Sequence, residues 1–337
     1  MSNEKPVVIE VTRGAVVESR HLGAAAIMRP DGKVVESWGD IEAPVMARSA
    51  IKPIQAIPLL ESGAADRFGL TDTQLALACA SHNGEARHVE AVRAWLTKVA
   101  LSEDDLECGA HAPRRLPIFE QFIRDGVTAT QAFNNCSGKH TGFLTTAVHL
   151  GEPTKGYIRA DHPVQKRIAA IYGELGRFDP SRAPAGSDGC GIPTLGVPLR
   201  AMATAMAAMA DPSRLKQARV AAIVRIRAAM NAEPFFMAGT GRFCTRINGA
   251  LPGIAQIKTG AEGVYCGMLP TLGVGVALKM WDGTGRAAEV AMARILHHLG
   301  VLDAKRYDDA INPPILSVVG ARVGDIRPAA SWLGAAA

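Results

Sequence analysis

The stretch Arg48-Ser49-Ala50-Ile51-Lys52-Pro53 decides how this 337-residue chain is read. Residues three apart on a helix share a face, so Ser49 and Lys52 can meet directly. Pro53 fixes where that helix begins. Inside a regular helix its ring would clash with the carbonyl four residues back, at Ser49, so the helix is expected to start at about Ser49. The hydroxyl then sits at the positive end of the helix dipole, which favours developing negative charge. Serine is a poor nucleophile until a base takes its proton. Lysine serves as that base only where burial or another cation depresses its pKa. On its own the pattern is more simply an N-cap serine followed by a solvated lysine, because S-x-x-K arises often by chance.

Two companions change that balance. Ser81-His82-Asn83 follows an apolar helix and enters a turn at Asn83-Gly84, and Lys258-Thr259-Gly260 closes the strand-like run GIAQIKTG. Penicillin-recognising serine enzymes carry S-x-x-K, then S-x-N, then K-T-G, in this chain order. The roles follow from the chemistry. Lys258 holds Ser81 and supplies a second positive charge, which lowers the pKa of Lys52 and lets Ser81 shuttle a proton to the leaving group. Gly260 lets the strand backbone approach the substrate. Backbone N–H groups at Ser49 and at Ala261 are the candidate oxyanion hole. Only 32 residues separate Ser49 from Ser81, a short interval for a lactamase, and no counterpart of a deacylating glutamate stands out. A β-lactam is therefore not the first choice of substrate.

Outward from these marks, the runs VVIEVTR, GAVVESR, AAAIM and KVVESW near the N-terminus read as strands, with a hairpin turn at Arg29-Pro30-Asp31-Gly32. Helices are expected over 50–62, 71–80, 86–98, 117–125, 139–150, 163–175, 195–210 and 212–231. Strand patterns return in ALPGIAQIKTG, GVYCGML and GVGVALKMW, followed by an amphipathic helix over 286–299 and a possible strand at ILSVV. This order predicts an α/β (α+β) fold: an antiparallel sheet from both chain ends with flanking helices plus a helical region, like a serine β-lactamase or penicillin-binding protein. A single domain over 1–337 is expected, with its sheet part at about 1–48 and 245–337 and its mainly helical part at about 49–244.

Composition narrows the class. Apolar residues make up 48% and charged residues 20%, which suits a full-sized core. The net charge of +5 comes from scattered Lys and Arg, which argues against nucleic acid. The start MSNEKPVVIEV has no signal-peptide pattern and no apolar run reaches membrane length. Six cysteines in a chain of this kind read as reduced thiols or metal ligands, so a cytoplasmic location is expected.

Taken together, RSAIKPIQAIPL, ASHNGE, NNCSGKHTG, GSDGCGIP and the later C-x13-K-T-G resemble the rhizobial-type, class 3 or thermolabile-type L-asparaginases over most of the chain. The resemblance implies a homodimeric enzyme with a β-lactamase-like or glutaminase-like fold, hydrolysing L-asparagine to L-aspartate and ammonia with no organic cofactor. It implies two Ser–Lys pairs, Ser49–Lys52 and Ser81–Lys258, with Ser49 as nucleophile. It also implies a zinc site on Cys136, Lys139 and Cys190, completed by water, with a role in structure or affinity. From chemistry alone His140 is the better ligand than Lys139, since an ammonium cannot bind metal until it is deprotonated.

Several polar residues are further candidates for the substrate pocket. Asp188, in the turn Ser187-Asp188-Gly189-Cys190, either binds a substrate ammonium or shapes the turn; Arg48 either binds a carboxylate or is a surface arginine. His82, Asn83, Glu85 and His140 are polar candidates, and Cys244 either lines the pocket or fills the core. Cys79, Cys108 and Cys266 read as core thiols. The competing functions are a glutaminase, an esterase, a peptidase acting on D-amino-acid peptides, and an amino-acid sensor that kept the pocket without turnover.

Overall fold

A computed structural model describes residues 5–333. The first and last four residues of the expected 1–337 unit lie outside the described residues.

The main sheet draws its strands from the two ends of the chain, as the order of apolar runs predicts. The N-terminal part gives β1 (Val7–Arg13), β2 (Val16–Met28) and β3 (Val34–Trp38). A short β4 (Pro44–Met46) follows, and the middle of the chain adds β5 (Ala185–Ser187) and β6 (Pro193–Pro198). The C-terminal part gives β7 (Gln256–Thr259), β8 (Val264–Leu269), β9 (Val274–Met280), β10 (Pro314–Leu316) and β11 (Arg322–Pro328). The large sheet runs β10-β11-β1-β2-β9-β8-β7, with β3 also paired to β2, and its described pairings are antiparallel. β7, which carries Lys258, ends this path, so one of its edges faces the helical region rather than another strand.

Each face of the sheet buries its own core. On one side lie the helices of the middle region, with the alanine- and methionine-rich helix Leu199–Ala210 against β9. On the other lies the helix Gly285–His298, with Phe243, Tyr265 and Trp332. Adjacent residues of a strand point to opposite faces. Tyr265 accordingly belongs to the second core and Cys266 to the first. No described helix is long and apolar enough to cross a membrane.

Several expected elements shift. The helix expected over 50–62 is broken into a 3₁₀ turn Arg48–Ile51 and short helices Lys52–Gln55 and Ile57–Glu61. Pro53 and Pro58 explain the breaks, since neither can donate the backbone bond a continuous helix needs. The helix expected over 195–210 starts at Leu199, and the residues before it form β6. Pro198 biases Val197 toward extended backbone, and that strand joins β4 and β5 in a small three-stranded sheet. The helix expected over 212–231 starts only at Gln217, because Asp211 accepts a bond from the Ser213 N–H and turns the chain first. The possible strand at 315–319 ends at Leu316, leaving Val318 and Val319 exposed in the hairpin to β11.

Candidate active site

Three lysines, Lys52, Lys139 and Lys258, are among the largest fully buried side chains. Lysine is almost never buried without a partner, because taking an ammonium out of water is costly. Among the described residues none of the three forms an ion pair with a carboxylate at contact distance. Buried lysines of this kind, without a carboxylate at contact distance and gathered in one place, mark a candidate functional site.

Two of them converge on one hydroxyl. Ser81 lies in the extended segment after the helix Asp72–Ala78, where its N–H donates to the Met237 carbonyl at 3.0 Å and the His82 N–H to that of Asn135 at 3.1 Å. Lys258 Nζ approaches Ser81 Oγ to 2.8 Å from the end of β7 and donates to the Thr259 carbonyl at 2.7 Å. Lys52 Nζ reaches the same oxygen at 3.0 Å, Cys136 Sγ at 3.0 Å, and the Ala80 carbonyl. Burial, and then the charge of Lys52, lower the pKa of Lys258 to about 7. Lys258 can therefore be a neutral amine near neutrality. Its lone pair then accepts the Ser81 hydroxyl hydrogen while Lys52 donates to the oxygen.

Ser49 sits in the 3₁₀ turn, half-buried, directly after Arg48, whose φ of 49° is in the left-handed region. Lys52 turns toward Ser81 rather than toward Ser49: the three acceptors of its amine are the two oxygens and the sulfur already named. The end of β7 nevertheless abuts the Ser49 turn. A Cβ on Gly260 would lie 3.1 Å from the Ala47 carbonyl oxygen and 3.3 Å from Ala50 Cβ, so only glycine fits there without displacement. Ala261 follows in an exposed turn.

Arg48 Nε donates to Asp188 Oδ1 at 2.8 Å, and the Gly189 N–H donates to the same carboxylate at 2.7 Å. Burial pushes the Asp188 carboxyl up, but Lys139, Arg48 and the backbone donor outweigh it and hold it below the usual range. A cavity of about 130 Å³ adjoins this pair, lined by Arg48, Ile51, Gln55, Gln165 and Asp188 among others.

Cys136, Lys139 and Cys190 also meet. Lys139 Nζ is 3.0 Å from Cys190 Sγ. The hydrogen bond from Cys190, opposed by burial and helped by Lys52 and Lys139, holds the Cys136 thiol well below the usual range. The same bond, with burial, pushes Cys190 up. Lys139, although buried, is raised by the two sulfurs. His140 is elsewhere engaged. Its Nδ1 lies 2.8 Å from the Tyr157 hydroxyl, and its Nε2 has no hydrogen-bond partner among the described residues. Burial and the neighbouring lysines keep the ring neutral.

The remaining candidates hold the frame. His82 Nδ1 accepts from the Gly84 N–H at 3.1 Å, so Nε2 carries the hydrogen toward Ser137 Oγ at 2.9 Å. Asn83 and Glu85 grip the loop at 239–242: Asn83 donates to the Thr240 carbonyl, and Glu85 accepts from the Thr240 N–H and hydroxyl. Gly239 makes that grip possible. Its φ is 108°, and a Cβ there would lie 2.5 Å from Asn83 Nδ2. The loop leads to Arg242, which donates to Asn83 Oδ1 at 3.1 Å and to the Ser81 carbonyl at 3.4 Å. Sequence reasoning missed Arg242, although its glycine-flanked turn Gly239-Thr240-Gly241 was a signal. Cys244 is buried in the second core with its thiol 3.7 Å from the Tyr265 hydroxyl. Cys79, Cys108 and Cys266 are buried thiols pushed up to about 12 by desolvation.

With two lysines on one serine hydroxyl established, the family match is decisive. The L-asparaginase II family model matches residues 9–328. The chain belongs to the L-asparaginase II family. It is an amidohydrolase of small-molecule amides, and its buried Lys–Ser network is consistent with a serine activated by lysine. A search of curated proteins finds no match. Among solved structures, Mglu in its native form is similar at 13% identity and a TM-score of 0.47, over 89% of this chain and 69% of that one. A β-lactamase from Mycobacterium bovis is similar at 13% identity and 0.41, over 83% and 95%. A simvastatin synthase mutant from Aspergillus terreus is similar at 11% identity and 0.38, over 77% and 86%.

Proposed function

We propose that this L-asparaginase II family member hydrolyses the side-chain amide of L-asparagine to L-aspartate and ammonia, with Ser49 as nucleophile. The observation that carries the reading is the Ser81 hydroxyl held at 2.8 Å from a lysine whose pKa is lowered to about 7. Ser49 is the more exposed of the two serines and lies in the turn against which the end of β7 packs. Its oxygen attacks the amide carbon as its proton passes by way of Ser81 to the neutral Lys258 amine. The oxyanion meets the backbone N–H groups of Ser49 and Ala261. The C–N bond then breaks, the stored proton goes to the nitrogen, and ammonia leaves an acyl ester. Water repeats the cycle to release L-aspartate and restore the serine.

Arg48 and Asp188 suit the zwitterionic end of the substrate. In this reading their mutual ion pair opens, the guanidinium taking the α-carboxylate and the carboxylate the α-ammonium. The adjoining cavity supports that role.

A second serine is favoured by one specific observation. Ser81, not Ser49, touches both amines, so direct attack by Ser81 is the alternative. Mass-spectrometric mapping of the acyl group after rapid quench separates them: an ester on the peptide bearing Ser49 supports the reading, and one on Ser81 overturns it. Ammonia release from asparagine and glutamine, with hydrolysis of a simple ester, separates asparaginase from glutaminase and esterase. Saturable binding without ammonia would leave only a sensor.

The reading includes a zinc ion held by Cys136, Lys139 and Cys190. Among the described residues no group of three or more His, Cys, Asp or Glu converges on a metal position, so a site here depends on the lysine. The donor set fits. Two soft sulfurs and an amine suit zinc, although 3.0 Å between Lys139 Nζ and Cys190 Sγ is a hydrogen-bond length, shorter than the roughly 3.5 Å edge of a tetrahedral site. A small parting of the side chains, with loss of the Lys139 proton, would accommodate it. When bound, zinc would hold the helix start at Cys136 to the Asp188 turn and so favour substrate affinity. A homodimer in the cytoplasm, without nucleic acid, membrane or organic cofactor, completes the reading; sedimentation of the purified chain tests the dimer.

A further inference from the structure

Glu289 lies on the far side of β7 and β8 from the catalytic lysine. Cross-strand partners share a face, and Lys258 pairs with Cys266 while Thr259 pairs with Tyr265. The Tyr265 hydroxyl, on that second face, reaches Glu289 Oε1 at 3.3 Å. Glu289 opens into a cavity of about 520 Å³ whose lining includes Arg242, Arg246, Arg286 and Asp309. Ser49, Lys52, Ser81 and Lys258 do not line it.

The charges in this cavity are unevenly matched. Arg246 and Asp309 satisfy each other at 2.7 Å. Arg242 donates only to neutral oxygens, at Ser81 and Asn83. Arg286 has a single polar contact, with His21 at 3.4 Å. Among the described residues neither guanidinium has a carboxylate at ion-pair distance, and Glu289 has no cation at that distance. Burial pushes the Glu289 carboxyl up against the pull of Arg242, as an acid without a close counter-ion should be. Two cations without anions and one carboxylate without a cation thus face one space.

We propose that this cavity binds a small acidic α-amino acid, with its two carboxylates on Arg242 and Arg286 and its ammonium on Glu289. A zwitterion with an additional carboxylate is the ligand whose charges complement all three groups at once. Arg242 also donates to the Ser81 carbonyl, so occupancy of the cavity bears on the segment that carries Ser81. L-Aspartate as the natural ligand rests on the proposed asparaginase activity, which would make this a product site; the acidic amino-acid class does not.

The test is equilibrium dialysis of radiolabelled L-aspartate against the full-length chain, with Glu289→Gln and Arg286→Ala compared after their melting curves confirm folding. The expected result is a class of site whose affinity falls at least tenfold in each variant, with ammonia release in the absence of aspartate within twofold of wild type. Succinate, which lacks the ammonium, should bind that site at least tenfold more weakly. Wild-type binding in both variants, or equal binding of succinate, overturns the inference. A wild-type protein that shows this site but releases no ammonia retains the inference and loses only the asparaginase reading.

Discussion

Lys258 Nζ stands 2.8 Å from Ser81 Oγ although the two residues are 177 positions apart in the chain. The edge strand β7 delivers the amine and the segment after Asp72–Ala78 delivers the hydroxyl. Burial of that amine beside a second lysine is what makes a base available near neutrality.

Removing either part of this relay should remove most of the rate. Lys258→Met and Ser81→Ala are each expected to lower kcat by about 10²–10⁴-fold, the usual contribution of positioned acid–base groups. Ser49→Ala should abolish ammonia release with the fold intact. Steady-state ammonia assays with circular dichroism melts read all three. Near-normal turnover by Ser49→Ala would refute the nucleophile assignment.

The pH profile should report the Lys258 amine. Its pKa is lowered from 10.5 to about 7, and the base must be neutral. Activity, as kcat/KM, should therefore rise with pH up to about 7 and then level off, a limb that Lys258→Met should lack.

The same shift affects stability, with a definite sign. The folded protein gives up this proton near 7, whereas the unfolded chain keeps it until 10.5. The unfolded state binds more protons in between, so this group's contribution to stability rises with pH across that window. Lys258→Met removes the cost of a buried charge and should stabilise the chain by about 1–2 kcal/mol at or below neutral pH. Chemical denaturation at two pH values on either side of 7 measures both effects.

Zinc content offers a separate check on the Cys136, Lys139 and Cys190 cluster. Cys136→Ala or Cys190→Ala should abolish stoichiometric zinc in elemental analysis and raise KM for asparagine more than they lower kcat. Chelation of the wild type should reproduce that pattern. A metal-free wild-type preparation with unchanged KM would refute the zinc assignment.

Gly239→Ala tests the loop that positions Arg242. The substitution forces a side chain into left-handed backbone with φ of 108° and against Asn83. It should cost about 1–3 kcal/mol and slow turnover by loosening the Arg242 bond to Ser81, seen as a lowered melting midpoint together with reduced kcat.

Local chemistry made much of this legible beforehand. Short β-branched and apolar runs bounded by turn residues, such as VVIEVTR and GVYCGML, marked strands. The prolines and the Ser–Lys, Ser–x–Asn and Lys–Thr–Gly marks pointed to the four central groups. The break at Pro58, the strand before Leu199 and β11 were less legible, because their form depends on neighbours remote in sequence.

The sequence by itself determined which chemistry is present: hydroxyls, amines and thiols in a fixed chain order, and a sheet assembled from both ends. Only the tertiary structure decided how they pair. It turned Lys52 toward Ser81 and Cys136, set Arg48 on Asp188, and put Lys139 rather than His140 against Cys190. The physical reason is that a side chain's partner and its pKa depend on burial and on charges brought close by folding, and neither is encoded in spacing along the chain.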